Sequence, residues 1–338
     1  MNNIDPIQRK MNKIAVVTGG NGFVGSHLVD LLLEKGLQVR CIVRKSSDLK
    51  WLNGKPVEIL PVGLESQEAL EKVLEGADYL YHVAGVVKSK KPEGYYDGNV
   101  EATETLLKAA LRAAPTLRRV LIVSSQTAAG PSSDGKAVTE DMECRPITTY
   151  GRSKREQEKT AMRYMDKLPI TICRAPAVYG ERDTEIFIYF NTFSKGITTS
   201  VGFDQKKVSL IHVKDLVRGM VMAAEADKSK GEIYFITSEK YYTWKEIGAV
   251  TADILKKKAL TIPVPHGVVF VIAAVAQFFS LFSSKAATLN IEKARDLTQS
   301  YWICDSAKAK RDFGFRQEIS IEQGIAQTCA WYKKEGWI

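Results

Sequence analysis

Tyr150-Gly151-Arg152-Ser153-Lys154 sets a phenol and an ammonium four residues apart. On a helix that spacing puts both groups on one face. A phenol titrates near 10 and is a poor acid or base at neutral pH. An ammonium close by favours the phenolate and is expected to bring Tyr150 toward working range. Ser125 closes a predicted strand upstream and is placed to hydrogen-bond the same substrate oxygen. A Tyr and a Lys at this spacing also arise by chance, so the pair gains weight from what precedes it.

What precedes it is a glycine turn. Thr18-Gly19-Gly20-Asn21-Gly22-Phe23-Val24-Gly25 carries GxxGxxG at Gly19, Gly22 and Gly25. Gly19 permits a tight turn, Gly22 lets the backbone approach a pyrophosphate, and Gly25 lets helix and strand pack closely. Phosphates would then meet the N–H groups and positive dipole of a helix N-terminus. The turn, Phe23 and Val24 included, falls between a predicted strand and a predicted helix, the context a dinucleotide site requires. The second strand ends Cys41-Ile42-Val43-Arg44-Lys45, with no acid until Asp48. A carboxylate there would hold the ribose hydroxyl of NAD, whereas a cation suits the 2′-phosphate of NADP. Arg44 and Lys45 therefore predict a preference for NADP(H), with NAD(H) as the lesser option. The plainer reading is that Arg44 is a surface cation.

These groups need a frame, and the hydrophobic pattern supplies one. Strands are predicted at 13–18, 38–43, 57–61, 79–83, 119–124 and 170–174. Helices are predicted at 24–35, 67–74, 100–113 and 150–166. Such alternation means βαβ units and a parallel sheet. After Tyr179 the pattern loosens, with helices expected at 215–226 and 244–255 and a strand at 232–236. The expected fold is α/β, a doubly wound parallel Rossmann sheet with a smaller C-terminal substrate-binding lobe. Residues 11–175 with 205–236 are assigned to the dinucleotide domain, and 176–204 with 237–338 to the lobe.

Composition bounds the rest. A chain of 338 residues with 45% apolar and 26% charged side chains excludes disorder, collagen-like repeats and a coiled coil as the main architecture. Cys41, Cys144, Cys173, Cys304 and Cys329 are odd in number and scattered, which argues against a disulfide framework or a zinc site and for a reducing compartment. No metal is expected. Met1–Lys10 is polar without an apolar core, so a cytoplasmic chain is expected. The net charge of +9 admits a polyanionic cofactor, an anionic membrane or a merely basic surface. No nucleic-acid module is present, and the basic residues lack aromatic interleaving. Lys88, Lys90 and Lys91 read as a solvated loop, or else as a contact for an anionic substrate tail.

The chain resembles the extended short-chain dehydrogenases/reductases over roughly Lys13 to Arg316. The glycine turn is followed in order by Asp78-Tyr79-Leu80-Tyr81-His82-Val83-Ala84-Gly85 and Asn99-Val100-Glu101-Ala102-Thr103. Ser124-Ser125, Tyr150 with Lys154, Arg174-Ala175-Pro176-Ala177-Val178-Tyr179-Gly180 and Ile211-His212-Val213-Lys214-Asp215 complete the series. The resemblance implies Tyr150 as general acid/base, Lys154 on the nicotinamide ribose, and Ser125 on the substrate oxygen. It implies that Ala84 and Gly85 line the cofactor and that Asn99 supports the active-site strand. It also implies a homodimer, through the helices at 100–113 and 150–166. His27, His82 and His212 read as packing or hydrogen-bonding residues.

Within that superfamily the sequence leans toward the dihydroflavonol-reductase-like and 3β-hydroxysteroid-dehydrogenase-like branch. Nucleotide-sugar epimerases usually keep an acid after the second strand, and an Asn where Ala177 stands. Tyr179-Gly180-Glu181-Arg182-Asp183 and Gly231-Glu232-Ile233-Tyr234-Phe235-Ile236 resemble the steroid branch. The expected reaction is hydride transfer between a nicotinamide and the carbonyl or hydroxyl of an apolar small molecule. Nucleotide-sugar chemistry stays open, since Arg182 and Lys195 are able to meet a diphosphate; a non-catalytic NADP sensor is the third reading. Ala259–Ser284 holds no charged side chain. It reads first as a lid or wall of an apolar pocket and second as a peripheral membrane contact through 267–282. At about 16 helical residues it is short for a span.

Overall fold

The computed structural model describes residues 13–282, 287 and 289–338. The polar lead-in Met1–Asn12, and Ser283 and Ser284 of the uncharged stretch, lie outside the described residues.

Seven strands form the main sheet: β1 (Ile14–Thr18), β2 (Gln38–Ile42), β3 (Val57–Leu60), β4 (Tyr79–His82), β5 (Arg119–Ser125), β6 (Ile170–Ala175) and the later β10 (Glu232–Phe235). Their order is β10-β6-β5-β4-β1-β2-β3, and every pairing is parallel. The strand order reverses between β1 and β4, and ligands of such sheets bind outside the carboxyl ends of the strands at that point.

The crossovers are helices α1 (Phe23–Glu34), α2 (Gln67–Leu74), the short α3 (Pro92–Tyr96), α4 (Ala102–Ala113), the single turn α5 (Gln126–Ala129) and α6 (Thr149–Met162). β1 shows why both faces are covered. Ala15 and Val17 enter one apolar layer with Leu28 and Val29 of α1, while Val16 enters another with Leu70 and Leu106. A strand buried on both faces needs this unbroken apolar run. Two expected boundaries move. The segment at 100–113 begins as a π-turn over Asp97–Glu101, with the α-helix starting at Ala102. The helix expected to reach Asp166 ends at Met162, because 163–168 closes in tight turns such as Arg163 N–H on the Thr160 carbonyl.

Beyond Ala175 the chain builds a second layer. It holds β7 (Ala177–Tyr179), helix α7 (Phe187–Ser194), β8 (Ile197–Val201), β9 (Lys207–His212), α8 (Val213–Glu225), β11 (Tyr241–Thr243), α9 (Trp244–Leu255) and β12 (Leu260–Val264). It closes with α10 (His266–Ser280), α11 (Ile291–Leu297), β13 (Tyr301–Trp302), α12 (Ala307–Phe313) and α13 (Ile321–Lys334). β9 carries β7, β11 and β13, and β8 pairs with β12. α8 returns to the main sheet, where Leu216 and Met220 join the α1 layer. Tyr179, Phe190, Ile247, Ile325 and Tyr332 form the apolar centre of the second layer.

The uncharged stretch does not become a buried wall. It divides into β12 and α10, and in α10 only Val269 and Ala273 are buried. Among the described residues no helix is long and apolar enough to cross a membrane.

Candidate active site

The glycine turn joins β1 to α1 at the switch point. Gly19 has φ +69°, and a side-chain carbon there would stand 2.8 Å from the Ala84 backbone at the end of β4. A carbon at Gly25 would stand 2.1 Å from the Gly19 carbonyl oxygen. Both glycines are therefore demanded by sterics. Gly22 precedes α1 as its cap in extended backbone, and no side chain caps the helix. Phe23 and Val24 open α1, so first-turn N–H groups are available to an anion. Arg44 and Lys45 follow β2, whose Ile42 pairs with Thr18 at the end of β1. Both are exposed. Among the described residues no partner holds the Arg44 guanidinium. This geometry fits a dinucleotide: a crowded glycine turn, uncapped N–H groups and free cations at the neighbouring strand end.

A buried polar chain ties this edge together. Thr18 Oγ1 and His82 Nδ1 lie 2.8 Å apart, and His82 Nε2 lies 2.8 Å from Thr103 Oγ1. Thr103 Oγ1 donates to the Asn99 carbonyl at 2.6 Å, and Gln157 Nε2 donates to Thr103 Oγ1 at 2.8 Å. Asn99 Nδ2 donates to Ser153 Oγ at 3.0 Å, and its Oδ1 accepts from Val86 N–H at 2.7 Å. A carbon at Gly85 would stand 3.0 Å from Asn99 Oδ1 and 3.8 Å from the Lys154 ammonium. Asn99 thus fixes the strand end that carries Ala84 and Gly85 against the Tyr150 helix.

Burial lowers the His82 pKa to about 3, and the Lys154 charge adds to that. His27 is lowered to about 4, also chiefly by burial, with its Nε2 2.8 Å from the Glu181 carbonyl. Both rings are neutral when folded and bind a proton near 6.5 when unfolded. Stability is therefore full above pH 6.5 and falls as pH drops toward 4. The expected slope is about 1.4 kcal/mol per pH unit for each histidine. Urea midpoints at pH 7, 5.5 and 4.5 check this; a flat profile would refute it.

Tyr150 shares a hydrogen bond with Ser125, while Lys154, on the same helix, reaches the backbone of β5. Thr148 caps α6, its Oγ1 accepting from Gly151 N–H at 3.0 Å. A carbon at Gly151 would stand 2.4 Å from the Thr127 carbonyl, so α6 presses onto the turn after β5. The half-buried Tyr150 packs against Tyr95, ring centroids 6.2 Å apart. Burial pushes its phenol up to about 12, while a hydrogen bond with Ser125 pulls it down. This corrects the expectation that Lys154 lowers it. The buried Lys154 instead donates to the Val123 carbonyl at 2.7 Å, and burial takes its own pKa down to about 8. At neutral pH the pair is a protonated phenol and an ammonium.

Beneath the trio lies a buried ion pair that local spacing did not reveal. Arg174 Nε and Nη2 each donate to a Glu158 oxygen at 2.8 Å. Ser124 Oγ donates to Glu158 Oε1 at 2.7 Å, and Arg155 reaches Oε2 at 3.0 Å. Burial alone would raise the Glu158 carboxyl, but the Arg174 guanidinium holds it below the usual range. Glu292 of α11 is a second unforeseen residue. It accepts from Thr149 N–H at 2.7 Å and from Thr149 Oγ1 at 3.0 Å. A carboxylate at this N-terminus also suits the helix dipole.

Arg182, considered as a diphosphate contact, faces elsewhere. Its Nη1 donates to Ser26 Oγ at 3.0 Å and its Nη2 to Asp30 at 2.8 Å. Lys195 lies exposed beyond α7. Lys88 pairs with Glu185 at 2.5 Å. His212 caps α8 through the Lys214 N–H. Among the described residues no group of three or more His, Cys, Asp or Glu is arranged to hold a metal ion.

A model of the NAD dependent epimerase/dehydratase family matches residues 15–237. Over its length the chain is similar to a ceramide reductase of Caulobacter vibrioides, 28% identical with 96% of each chain covered. It is also similar to a sterol demethylase protein B of Methylococcus capsulatus, 28% identical over 96% of this chain and 99% of the other. Its fold matches that of a UDP-glucuronic acid 4-epimerase from Bacillus cereus solved with NAD, at a TM-score of 0.77 and 21% identity, covering 96% of this chain and 100% of that one.

Proposed function

The chain belongs to the NAD dependent epimerase/dehydratase family, and from that premise we propose that it reduces the carbonyl group of an apolar, lipid-like substrate, reversibly and with a preference for NADPH. One observation carries the chemistry: a protonated phenol hydrogen-bonded to Ser125 stands on the helix whose Lys154 lies beside Gly85, at the edge where the glycine turn opens. The turn, Ala84, Gly85 and Lys154 would hold a nicotinamide dinucleotide, which would supply hydride for the carbonyl carbon. Ser125 and Tyr150 orient the carbonyl oxygen. Tyr150 donates its proton to that oxygen as the negative charge develops. Its raised pKa keeps the proton available until then. Ser125, hydrogen-bonded to the phenol, steadies the phenolate left behind until solvent returns a proton, Lys154 would hold the nicotinamide ribose, and the reverse sequence oxidises an alcohol. Asn99, Glu158 and Glu292 are positioning residues, acting through the strand end and α6.

Two features support an apolar substrate over a nucleotide sugar. A diphosphate needs cations free to bind it, and Arg182 is engaged with Ser26 and Asp30. Two relatives of similar length are named for a ceramide and a sterol, both lipids. The test presents detergent-dispersed long-chain and sterol ketones, and separately UDP-sugars, to the purified protein with NADPH or NADH. Ketone-dependent NADPH oxidation is expected. Interconversion of UDP-sugars without net cofactor turnover would replace this reading.

The NADP preference rests on Arg44. Arg44→Ser is expected to raise KM for NADPH about 10- to 100-fold, the worth of a charge-assisted hydrogen bond, and to leave KM for NADH nearly unchanged. Equal effects on both cofactors would reduce Arg44 to a surface cation.

A further inference from the structure

Helix α10 leaves most of its apolar surface in water. Val271 is 63% exposed, Phe279 66% and Phe282, just past its end, 80%. The helix packs on one end of the β8–β12 ribbon through Val201 and Val264; Phe203, 80% exposed, follows β8 at that end, and Leu260, 69% exposed, opens β12 at the other. Contiguous exposed apolar surface of this kind marks an interaction site.

The charge pattern selects the partner. No Asp or Glu occurs from 186 to 203 or from 254 to 291. The same segments carry Lys195, Lys256, Lys257 and Lys258, all exposed. These lysines gather where the ribbon begins: Leu260 pairs with Ile197, and Lys257 Nζ donates to the Ser194 carbonyl at 2.7 Å. At the ribbon's other end Asp204 is neutralised by Lys206 at 3.2 Å. An apolar face whose one acid is paired, with lysines where the ribbon begins, complements an anionic lipid surface.

We propose that this face docks on an anionic bilayer, with α10 lying in the interfacial plane, and that docking brings membrane-dissolved substrate to the Tyr150 site. The face is tied directly to that site. Gln277 of α10 accepts from Ile291 N–H of α11 at 3.1 Å. In α11, Glu292 holds Thr149 beside Tyr150, and Arg295 donates to the Ile147 carbonyl at 3.3 Å. The delivery step rests on the apolar-carbonyl reading above; the docking step does not.

The experiment is flotation of the full chain with vesicles of phosphatidylglycerol and phosphatidylcholine, and of phosphatidylcholine alone. Binding is expected to the anionic vesicles and to weaken with salt. Phe279→Ser with Phe282→Ser is expected to lower the bound fraction at least about tenfold, since the aromatic rings supply the apolar burial. Lys256→Glu with Lys258→Glu is expected to weaken binding to the anionic vesicles. Unchanged thermal midpoints and NADPH affinity show that the variants fold. Failure of the wild-type chain to float with anionic vesicles overturns docking, whatever its activity on detergent-dispersed ketones. Vesicle binding with no ketone reduction instead overturns the functional reading and leaves docking standing. A dimer dispersed by the Phe279/Phe282 variant, with vesicle binding unchanged, would assign the face to a second copy and also overturn the proposal.

Discussion

Tyr150→Phe is expected to lower kcat for ketone reduction by about 10²–10⁴-fold, the range lost with a general acid, while NADPH affinity and the unfolding midpoint change little. The substitution removes one hydroxyl and keeps the ring that packs against Tyr95. It leaves the Lys154 contact with the Val123 carbonyl in place. The loss should therefore fall on the proton-transfer step and not on cofactor binding. The pH profile adds a second readout. The phenol is pushed up to about 12 by burial and the ammonium down to about 8. Reduction, which needs the protonated phenol and benefits from the charged lysine, should hold up to about pH 8 and decline above it. A Tyr150→Phe protein turning over at near wild-type rate would end the proposed mechanism.

The second large effect concerns stability. Glu158 is fully buried and Arg174 is 1% exposed at its side chain. Arg174 Nη1 has no hydrogen-bond partner among the described residues. Glu158→Leu would leave that guanidinium buried with its main counter-charge gone, at a cost of about 3–5 kcal/mol. Arg174→Met would leave the carboxylate with only Arg155 and Ser124, at a smaller cost. The double variant Glu158→Leu/Arg174→Met is expected to recover much of the loss, because it removes both desolvated charges. Urea unfolding of the three variants checks this cycle. Additive losses in the double variant would mean that the two groups contribute through separate packing. Since Ser124 also binds Glu158 and adjoins Ser125, the single variants should lower kcat as well.

How much of this was legible in the sequence depends on range. The strands at 14–18 and 170–175 announce themselves because both faces are covered and their runs are continuously apolar. Tyr150 with Lys154 is a spacing on one helix, and the glycine turn is contiguous. Local chemistry encodes each of them. The Glu158–Arg174 pair and the Thr149–Glu292 contact join residues distant along the chain, so no local pattern carried them. One signal was available: Glu158 stands four residues after Lys154, on the same helical face. The direction of the Tyr150 shift was misjudged because spacing gives proximity but not burial. Arg182 reaches Ser26 and Asp30 of α1 across a long stretch of chain, a pairing that no local pattern carries. In the second layer α13 went unread although its N-terminus carries a capping box, Ser320 with Gln323. Short strands such as β8 and β12 pair only with each other, and nothing in their composition fixed that partnership.

The π-turn over Asp97–Glu101 has a consequence for how the family's sequences vary in length. Such a turn is one residue longer than the helix needs. Removing Val100 or Glu101 would let the helix close into ordinary α geometry and rotate everything on its amino side, Asn99 included, by about 100° relative to α4. Asn99 would swing away from Val86 and Ser153 while keeping its identity. At this place, then, length is the functional quantity. A homologue with a one-residue gap between this asparagine and α4 should have lost the Asn99 clamp even where an asparagine still aligns.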